Sequence, residues 1–456
     1  MLFNLVHLLL SIVGIVITLL FVIGTHEAAH FATARLLGVK VLKFSLGFGK
    51  AFFSWRDKKG TEYVLAYIPL GGYVRMLGEG DEHIPPSQRA FAFNRQPFYK
   101  KFLIVLAGPL TNLICAFFLY WVVFVMGYVT VKPVIGQVLP RSIAAESGLK
   151  PNQEIISINH RTTASWANVL FRLLTHIGSQ DHLSIEVKAL HEKKNQTFLL
   201  DVSNWHMEGL TPDPLKSLGI EPYQPEIPLV IGTVIKDSPA AASSLHVGDK
   251  MLAVDHQTLN NWDSLITTIV QHPKQTLNFT IERDHHQLTV PVTIGSQRDL
   301  LLRQSGYLGI APSFHWPPDL LHTVQYGPWQ AIPHAWQELT DLTYFNLLLI
   351  GKMITGKVSL QTLGGPLTIF ESAGEALNSG ILAFISFLAF LSVSIGVINL
   401  LPVPGLDGGH LCFQLVEVVM RRPVPELVQA WLYRLGLIFV LLVLIQALVN
   451  DVLRWY

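Results

Sequence analysis

His26 and His30 stand four residues apart, with Glu27 directly after the first, in the stretch Gly-Thr-His-Glu-Ala-Ala-His. On a helix this spacing puts both imidazoles on one face, about 40° apart around the axis. Both nitrogens can then reach one Zn²⁺ at ~2.0–2.1 Å. Glu27 can accept the proton of a zinc-bound water, whose pKa the metal lowers to about 7. The implied chemistry is hydrolysis. Such a site needs a third protein ligand and one open position. Longer versions of the motif place a Gly and a third His downstream, but Thr33 and Leu36 occupy those positions. The third ligand must lie elsewhere.

The other polar anomaly beside an apolar run is Asn-Leu-Leu-Pro-Val-Pro-Gly-Leu-Asp-Gly-Gly-His, residues 399–410. Pro402 and Pro404 break a helix, and Asp407-Gly408-Gly409 suits a tight turn. A plain helix-ending turn would explain the Asp-Gly pair alone. If this turn meets the histidines, Asp407 is the best third ligand, with His410 the weaker competitor.

These residues must be positioned by elements that lie in lipid. Half of the 456 residues are apolar, 14% are charged, and mean hydropathy is +0.39. That is too apolar for an ordinary soluble enzyme. Residues 5–24, 102–128, 381–401 and 435–449 approach the ~20 apolar residues that cross a bilayer. The first is read as a retained span, because no basic residue precedes it and no small-residue cleavage site ends it. Twelve Lys/Arg against five Asp/Glu in 35–101 put that loop in the cytoplasm, leaving both termini and residues 129–380 outside. Spans one and three then both run inward, so Asp407 and the two histidines end on the same side. Residues 342–350, with Trp329 and Trp336 upstream, read as a helix on the membrane surface. A net charge of +1 without a basic face excludes a nucleic-acid partner. Two cysteines, Cys115 and Cys412, cannot make a disulfide framework.

The region outside the membrane repeats. Residues 134–166 align without a gap to 230–262 at an offset of 96. Val-Ile-Gly, an Ala pair, a Leu and a closing Trp recur, so one unit is present twice. The copies resemble PDZ domains of the kind attached to bacterial proteases, with Asn152-Gln153 replacing an expected Gly-Asp and Ser244 replacing a Gly. A PDZ groove takes peptide ends, and the same modules can also act as steric filters.

His-Glu-x-x-His in a first span and Asn-x-x-Pro-x-Pro-x-Leu-Asp-Gly in a later one resemble the site-2 protease family of intramembrane zinc metalloproteases. The two PDZ copies match its sigma-E-regulating Gram-negative type. Residues 44–50, 68–77 and 108–112 also resemble that family's loop, β-segment and second-span motifs. The resemblance implies a zinc metalloendopeptidase of the bacterial inner membrane, with its PDZ domains in the periplasm and its active site near the cytoplasmic side. Its substrates would be single-span membrane proteins, a trimmed anti-sigma factor and remnant signal peptides, and it would work as a monomer in the lipid bilayer. Metal ligands would be His26, His30 and Asp407, with Glu27 catalytic. The segment 61–76 is strand-like, and its edge could pair with an unwound substrate at Gly71, Gly72 and Tyr73. Asn399 and Asn112 would bond the substrate backbone or support the site.

The expected fold is a polytopic α-helical membrane protein of four transmembrane helices, with a membrane-associated β-segment and two extracytoplasmic PDZ domains (α+β). The expected divisions are 1–128, 129–222, 223–313, 314–380 and 381–456. A tethered PDZ scaffold would not need His26, Glu27, His30 and Asp407 together. A cation transporter would not need a general base.

Overall fold

The computed structural model describes residues 2–79, 84–176, 182–190, 192, 194–203, 205, 213–298, 304–314, 316–356, 358–422 and 424–454. Helix α1 (Leu2–Leu36) contains no proline and runs unbroken through His26–His30, which fixes the two imidazoles at helical spacing. It stops where Gly38 takes a left-handed φ of 82°. α2 (Phe98–Met126) follows the loop rich in Lys and Arg. Four helices among the described residues are long and apolar enough to cross a membrane: Leu8–Leu36, Phe98–Met126, Ile381–Asn399 and Leu427–Arg454. The first and last are longer than the apolar runs, because helices continue past the lipid-like stretch into amphipathic turns.

Strands β1 (Val41–Arg56) and β2 (Glu62–Met76) lie between α1 and α2. Both are kinked. Gly47 and Gly49 have φ of 94° and 88°, and a Cβ on Gly47 would stand 2.8 Å from the Ile68 carbonyl oxygen. Residues 43–46 therefore pair on both sides, Ser45 with Val64 and with Tyr73, while Trp55 pairs with Tyr63. The extended segments lie in the order 51–56, 62–66, 43–46, 72–76, and among the described residues the last is an edge. Arg35 at the end of α1 bonds Asp57 in the turn between the strands, and that contact holds the Asp57 carboxyl down at about 2. Thr61 Oγ1 donates to the Val41 carbonyl at 2.7 Å and accepts from Arg35 at 3.0 Å, tying the base of the sheet to α1.

The repeat is visible as topology. In the first copy β3 (Gln153–Ile158), β4 (Arg161–Thr162), α3 (Trp166–His176), β5 (His182–Ala189) and β6 (Asn195–Asp201) give a sheet of order β4-β3-β5-β6. In the second, β7 (Lys250–Val254), β8 (Gln257–Thr258), α4 (Trp262–Gln271), β9 (Thr276–Arg283) and β10 (His286–Thr293) give β8-β7-β9-β10. Both hairpin turns use two left-handed residues, Asn159-His160 and Asp255-His256. The departures at Asn152 and Gln153 keep the jobs of their counterparts, whereas Ser244 does not adopt the left-handed backbone of Gly148. Asn152 takes the left-handed conformation of Gly248, and Gln153 accepts the Lys150 N–H as Asp249 accepts that of His246. Asp249 is held by Arg283 through two bonds of 2.6 and 2.7 Å.

Two compact units result. One comprises residues 134–137 and 222–321, cored by Ile231, Met251, Leu265, Phe279, Ile281 and Leu308. The other holds the membrane helices together with the first repeat copy. Within it, α5 (Pro328–Ile354) is one helix of 27 residues, longer than the apolar 342–350. Ala331, Ala335, Leu339 and Leu342 pack it against Tyr120 and Phe124 of α2 and Ala389 and Val393 of α7 (Ile381–Asn399), while Trp329 and Trp336 stay exposed. α6 (Pro366–Asn378) meets α1 through small residues: Gly14 against Ala373 and Gly374 against Ser11. α8 (Asp407–Met420) and α9 (Glu426–Arg454) complete the chain.

Arg172 and Arg161 of the first copy both bond the buried Asp341 of α5, Arg172 at 2.6 Å. Glu338, one turn before Asp341, lines the same cavity of about 600 Å³ with Tyr120, Tyr128 and Arg172. Burial and the Asp341 carboxylate raise Glu338 to about 7, against a smaller opposing pull from Arg172. An acid whose folded pKa is raised holds its proton in the native state while the unfolded chain has lost it, so stability falls as pH rises from about 4.5 to about 7. Glu338→Gln should therefore leave the melting temperature unchanged at pH 4.5 and raise it by about 1–3 °C at pH 8. Thermal melts of the detergent-solubilised protein at the two pH values check this.

Candidate metal centre

α1 supplies His26, Glu27 and His30, all less than a tenth exposed. Asp407 comes from the first turn of α8, the end at which a helix favours a carboxylate. Its local geometry depends on the preceding Pro and Gly residues. α7 ends at Asn399, and the chain turns through Pro402, Pro404 and Gly405, the last with φ 101°. The first turn of α8 then presses on that loop so closely that a Cβ on Gly408 would lie 2.2 Å from the Leu401 carbonyl oxygen. On Gly409 it would lie 2.4 Å from that of Val403. Only glycine fits at both positions.

Asp407 Oδ2 lies 3.0 Å from His26 Nε2 and 3.4 Å from His30 Nε2, and the two nitrogens are 3.2 Å apart. A tetrahedral zinc with bonds of ~2.0–2.1 Å separates its ligand atoms by roughly 3.3 Å. The triangle has that size. Asp407 Oδ2 is also buried without a well-directed hydrogen bond. Three electron-pair donors around one point, one of them an unsatisfied carboxylate oxygen, fit a divalent cation.

The surrounding chain makes room for this cluster and orients it. Gly108 of α2 has no side chain where a Cβ would stand 2.3 Å from His30 Nε2 and 2.8 Å from His26 Cε1. His30 Nδ1 bonds the Ile104 carbonyl oxygen at 2.7 Å, so Nδ1 carries the proton and Nε2 is free to ligate. The amide nitrogen of Asn112, fully buried, lies 3.3 Å from His26 Nδ1. Asn112 thus lies on the side of His26 away from Asp407. Asn399 closes α7 and is half-buried. His410 stands outside the triangle, with Nδ1 2.9 Å from the Tyr433 hydroxyl on α9.

The edge segment 72–76 meets the same cluster. A Cβ on Gly72 would fall 2.7 Å from Glu27 Cγ and 2.9 Å from the Ser45 carbonyl oxygen, and one on Gly71 would fall 2.4 Å from the Phe48 ring. Tyr73 pairs with Ser45 and lies parallel to that ring at 6.2 Å between centroids. The Gly-Gly pair thus lets a strand lie directly on Glu27. Neither Gly108 nor the Ile104 carbonyl was singled out from the sequence for the part it plays here. Gly108 belonged to the motif at 108–112, but the sequence does not show that it faces the imidazoles, and every residue carries a carbonyl.

Comparison with known proteins decides what this centre belongs to. The model of peptidase family M50 matches residues 14–443. The chain belongs to that family. Its relatives include the regulator of sigma-E protease RseP of Salmonella typhimurium, 38% identical over 448 residues, covering 98% of this chain and 99% of that one. The protein of the same name from Escherichia coli K12 is 38% identical over 445 residues, covering 97% and 98%. A putative zinc metalloprotease of Vibrio cholerae is 36% identical over 449 residues, covering 98% and 99%. A solved PDZ domain from Listeria innocua covers 20% of this chain and 97% of its own, at 20% identity and a TM-score of 0.17. Family M50 comprises intramembrane zinc proteases of the site-2 type, and this chain is a zinc metalloprotease of the bacterial inner membrane.

Gly108→Ala should abolish stoichiometric zinc, because the added methyl occupies the space of both imidazoles and α2 cannot retreat without breaking its contacts to α7. Metal analysis of the purified variant checks this. A full zinc complement would show that the imidazoles leave that space when the metal binds.

Proposed function

We propose that His26, His30 and Asp407 hold the catalytic zinc and that Glu27 is the general base of peptide hydrolysis. The carrying observation is the triangle of Nε2, Nε2 and Oδ2 at 3.0–3.4 Å, with Glu27 next to it and a strand edge resting on Glu27. Bound there, zinc supplies the Lewis acidity that polarises a carbonyl and acidifies water. Glu27 takes the proton of the attacking water and delivers it to the leaving amine. Two further demands follow from placing this in lipid. A helical peptide bond has its backbone groups paired internally, so the substrate must be unwound and given new partners. The edge at Gly71, Gly72 and Tyr73 offers those partners by strand addition, directly beside the base. Asn399, at the mouth of the turn that carries Asp407, is placed to bond a substrate carbonyl or amide.

The substrates we assign are single-span membrane proteins, a trimmed anti-sigma factor first and remnant signal peptides second. The sigma-E regulation in the names of the relatives supports the first. The charge pattern of the loops supports an active site near the cytoplasmic side, with both repeat copies, read as PDZ domains within 129–222 and 223–313, in the periplasm. In that position they act on the part of the substrate outside the membrane, as a filter against bulky domains.

In lipid nanodiscs Glu27→Gln should keep one zinc per chain and lower cleavage of a single-span substrate by at least about 1,000-fold. Cleavage at the wild-type rate would move the general base elsewhere, and equal zinc with unaltered transport of the metal would favour a carrier. Gly72→Ala should also keep zinc but lose about 10–100-fold in kcat/KM, since its methyl displaces Glu27 and the sheet edge together. Unchanged kinetics would separate the strand from the chemistry.

A further inference from the structure

His26 and His30 are held from behind by different kinds of group. His30 has a backbone carbonyl at Nδ1, which can only accept. His26 has the side-chain amide of Asn112, which can present either its oxygen or its nitrogen. The two ends of an amide have nearly the same shape, so the partner decides which faces it. His26 turns Nε2 toward Asp407 and His30. For Nε2 to carry an electron pair to zinc, the neutral ring must have its proton on Nδ1. A protonated Nδ1 facing an amide NH₂ would set donor against donor. With the amide turned the other way, Asn112 Oδ1 accepts that proton. Oδ1 is otherwise a buried oxygen without a partner. In either orientation one end of the amide lacks a protein partner, and the zinc-ready form of His26 selects which end.

Resting on the zinc site argued above, we infer that Asn112 is a positioning residue that holds His26 in its Nδ1–H form through its amide oxygen. The surrounding contacts suit that task. Asn112 is fully buried and one helical turn beyond Gly108, the residue that leaves space for both rings. Ser392 of α7 donates to the Asn112 backbone carbonyl at 2.8 Å, and Gly396 lets α7 approach so closely that an added Cβ would be 3.3 Å from that of Asn112. α2 and α7 are thereby locked in register at the residue behind His26. Histidine–metal sites in which the outer partner is removed lose about 10–100-fold in affinity.

Two measurements on the full chain in detergent or nanodiscs test this without relying on turnover. The first is zinc retention against a competing chelator. Asn112→Leu and Asn112→Ala should lose zinc about 10–100-fold more readily than wild type. Asn112→Asp, which still accepts from Nδ1–H, should stay within a few-fold. A role confined to helix packing predicts the reverse order, because a buried carboxylate disturbs packing more than Leu does. Asn112→Leu equal to wild type, or Asn112→Asp as poor as Leu, overturns the inference. The second needs no variant. Nitrogen-15 spectra of histidine-labelled, zinc-loaded wild type should show His26 protonated at Nδ1 and bonded to zinc through Nε2. A bare Nδ1, or zinc on Nδ1, overturns the inference even if the variants fail to fold. Wild type that binds no zinc brings down the metal-centre reading itself, a different result from equal affinities.

Discussion

A water-splitting centre inside a lipid-spanning helix must replace water as the solvent of its own polar groups. His26, Glu27 and His30 lie within the first candidate span, where an unpartnered polar group costs several kcal/mol. Most of the neighbouring architecture can be understood from that cost. The cluster draws a carboxylate from α8, a carbonyl from α2 and an amide from α2, and each is delivered by a helix that must come unusually close. Small residues permit the approach: Gly108 at the imidazoles, Gly396 between α7 and α2, and Gly408 and Gly409 at the loop beneath Asp407.

The same logic separates what could be read in the amino-acid sequence from what could not. His26, Glu27 and His30 are legible because helical spacing is a local property and the residue types are rare in lipid. Asp407 was legible only by combining a broken helix with a topology argument, and the triangle of distances agrees with it. The four apolar runs mark the four long helices, but their ends were drawn short, since helical hydrogen bonding continues where hydropathy stops. The kinked double pairing of 43–46 was not legible at all. It depends on Gly47, Gly71 and Gly72 lying against carbonyls and a ring some twenty or more residues away in the chain. For the same reason α5 read as a short surface piece: its buried face is made of Ala331 and Ala335 as much as of large apolar residues.

The two repeat copies show how far a unit can change while keeping its shape. Asn152 and Gln153 look like losses beside Gly248 and Asp249, yet the first adopts the same left-handed backbone and the second closes the same kind of loop bond. The difference lies in what each copy is tied to. In the second, the acid at this position binds Arg283 of its own sheet. In the first, two arginines reach out of the copy to Asp341 on α5. One copy bonds within itself and the other is fastened to α5. The filter proposed for the two copies would need such a fixed part to bear on.

For a substrate paired as proposed, the strand edge at residues 72–74 next to Glu27 also sets a ruler. Side chains along a strand alternate between two faces, and a slip of one residue exchanges them. A substrate paired to this edge therefore meets the base with equivalent side-chain environments only at every second residue. Where a membrane segment is cut at more than one bond, the preferred bonds should fall on a single parity, whatever the local sequence. Choice of cleavage position would then be quantised by the pleat of the enzyme's own sheet.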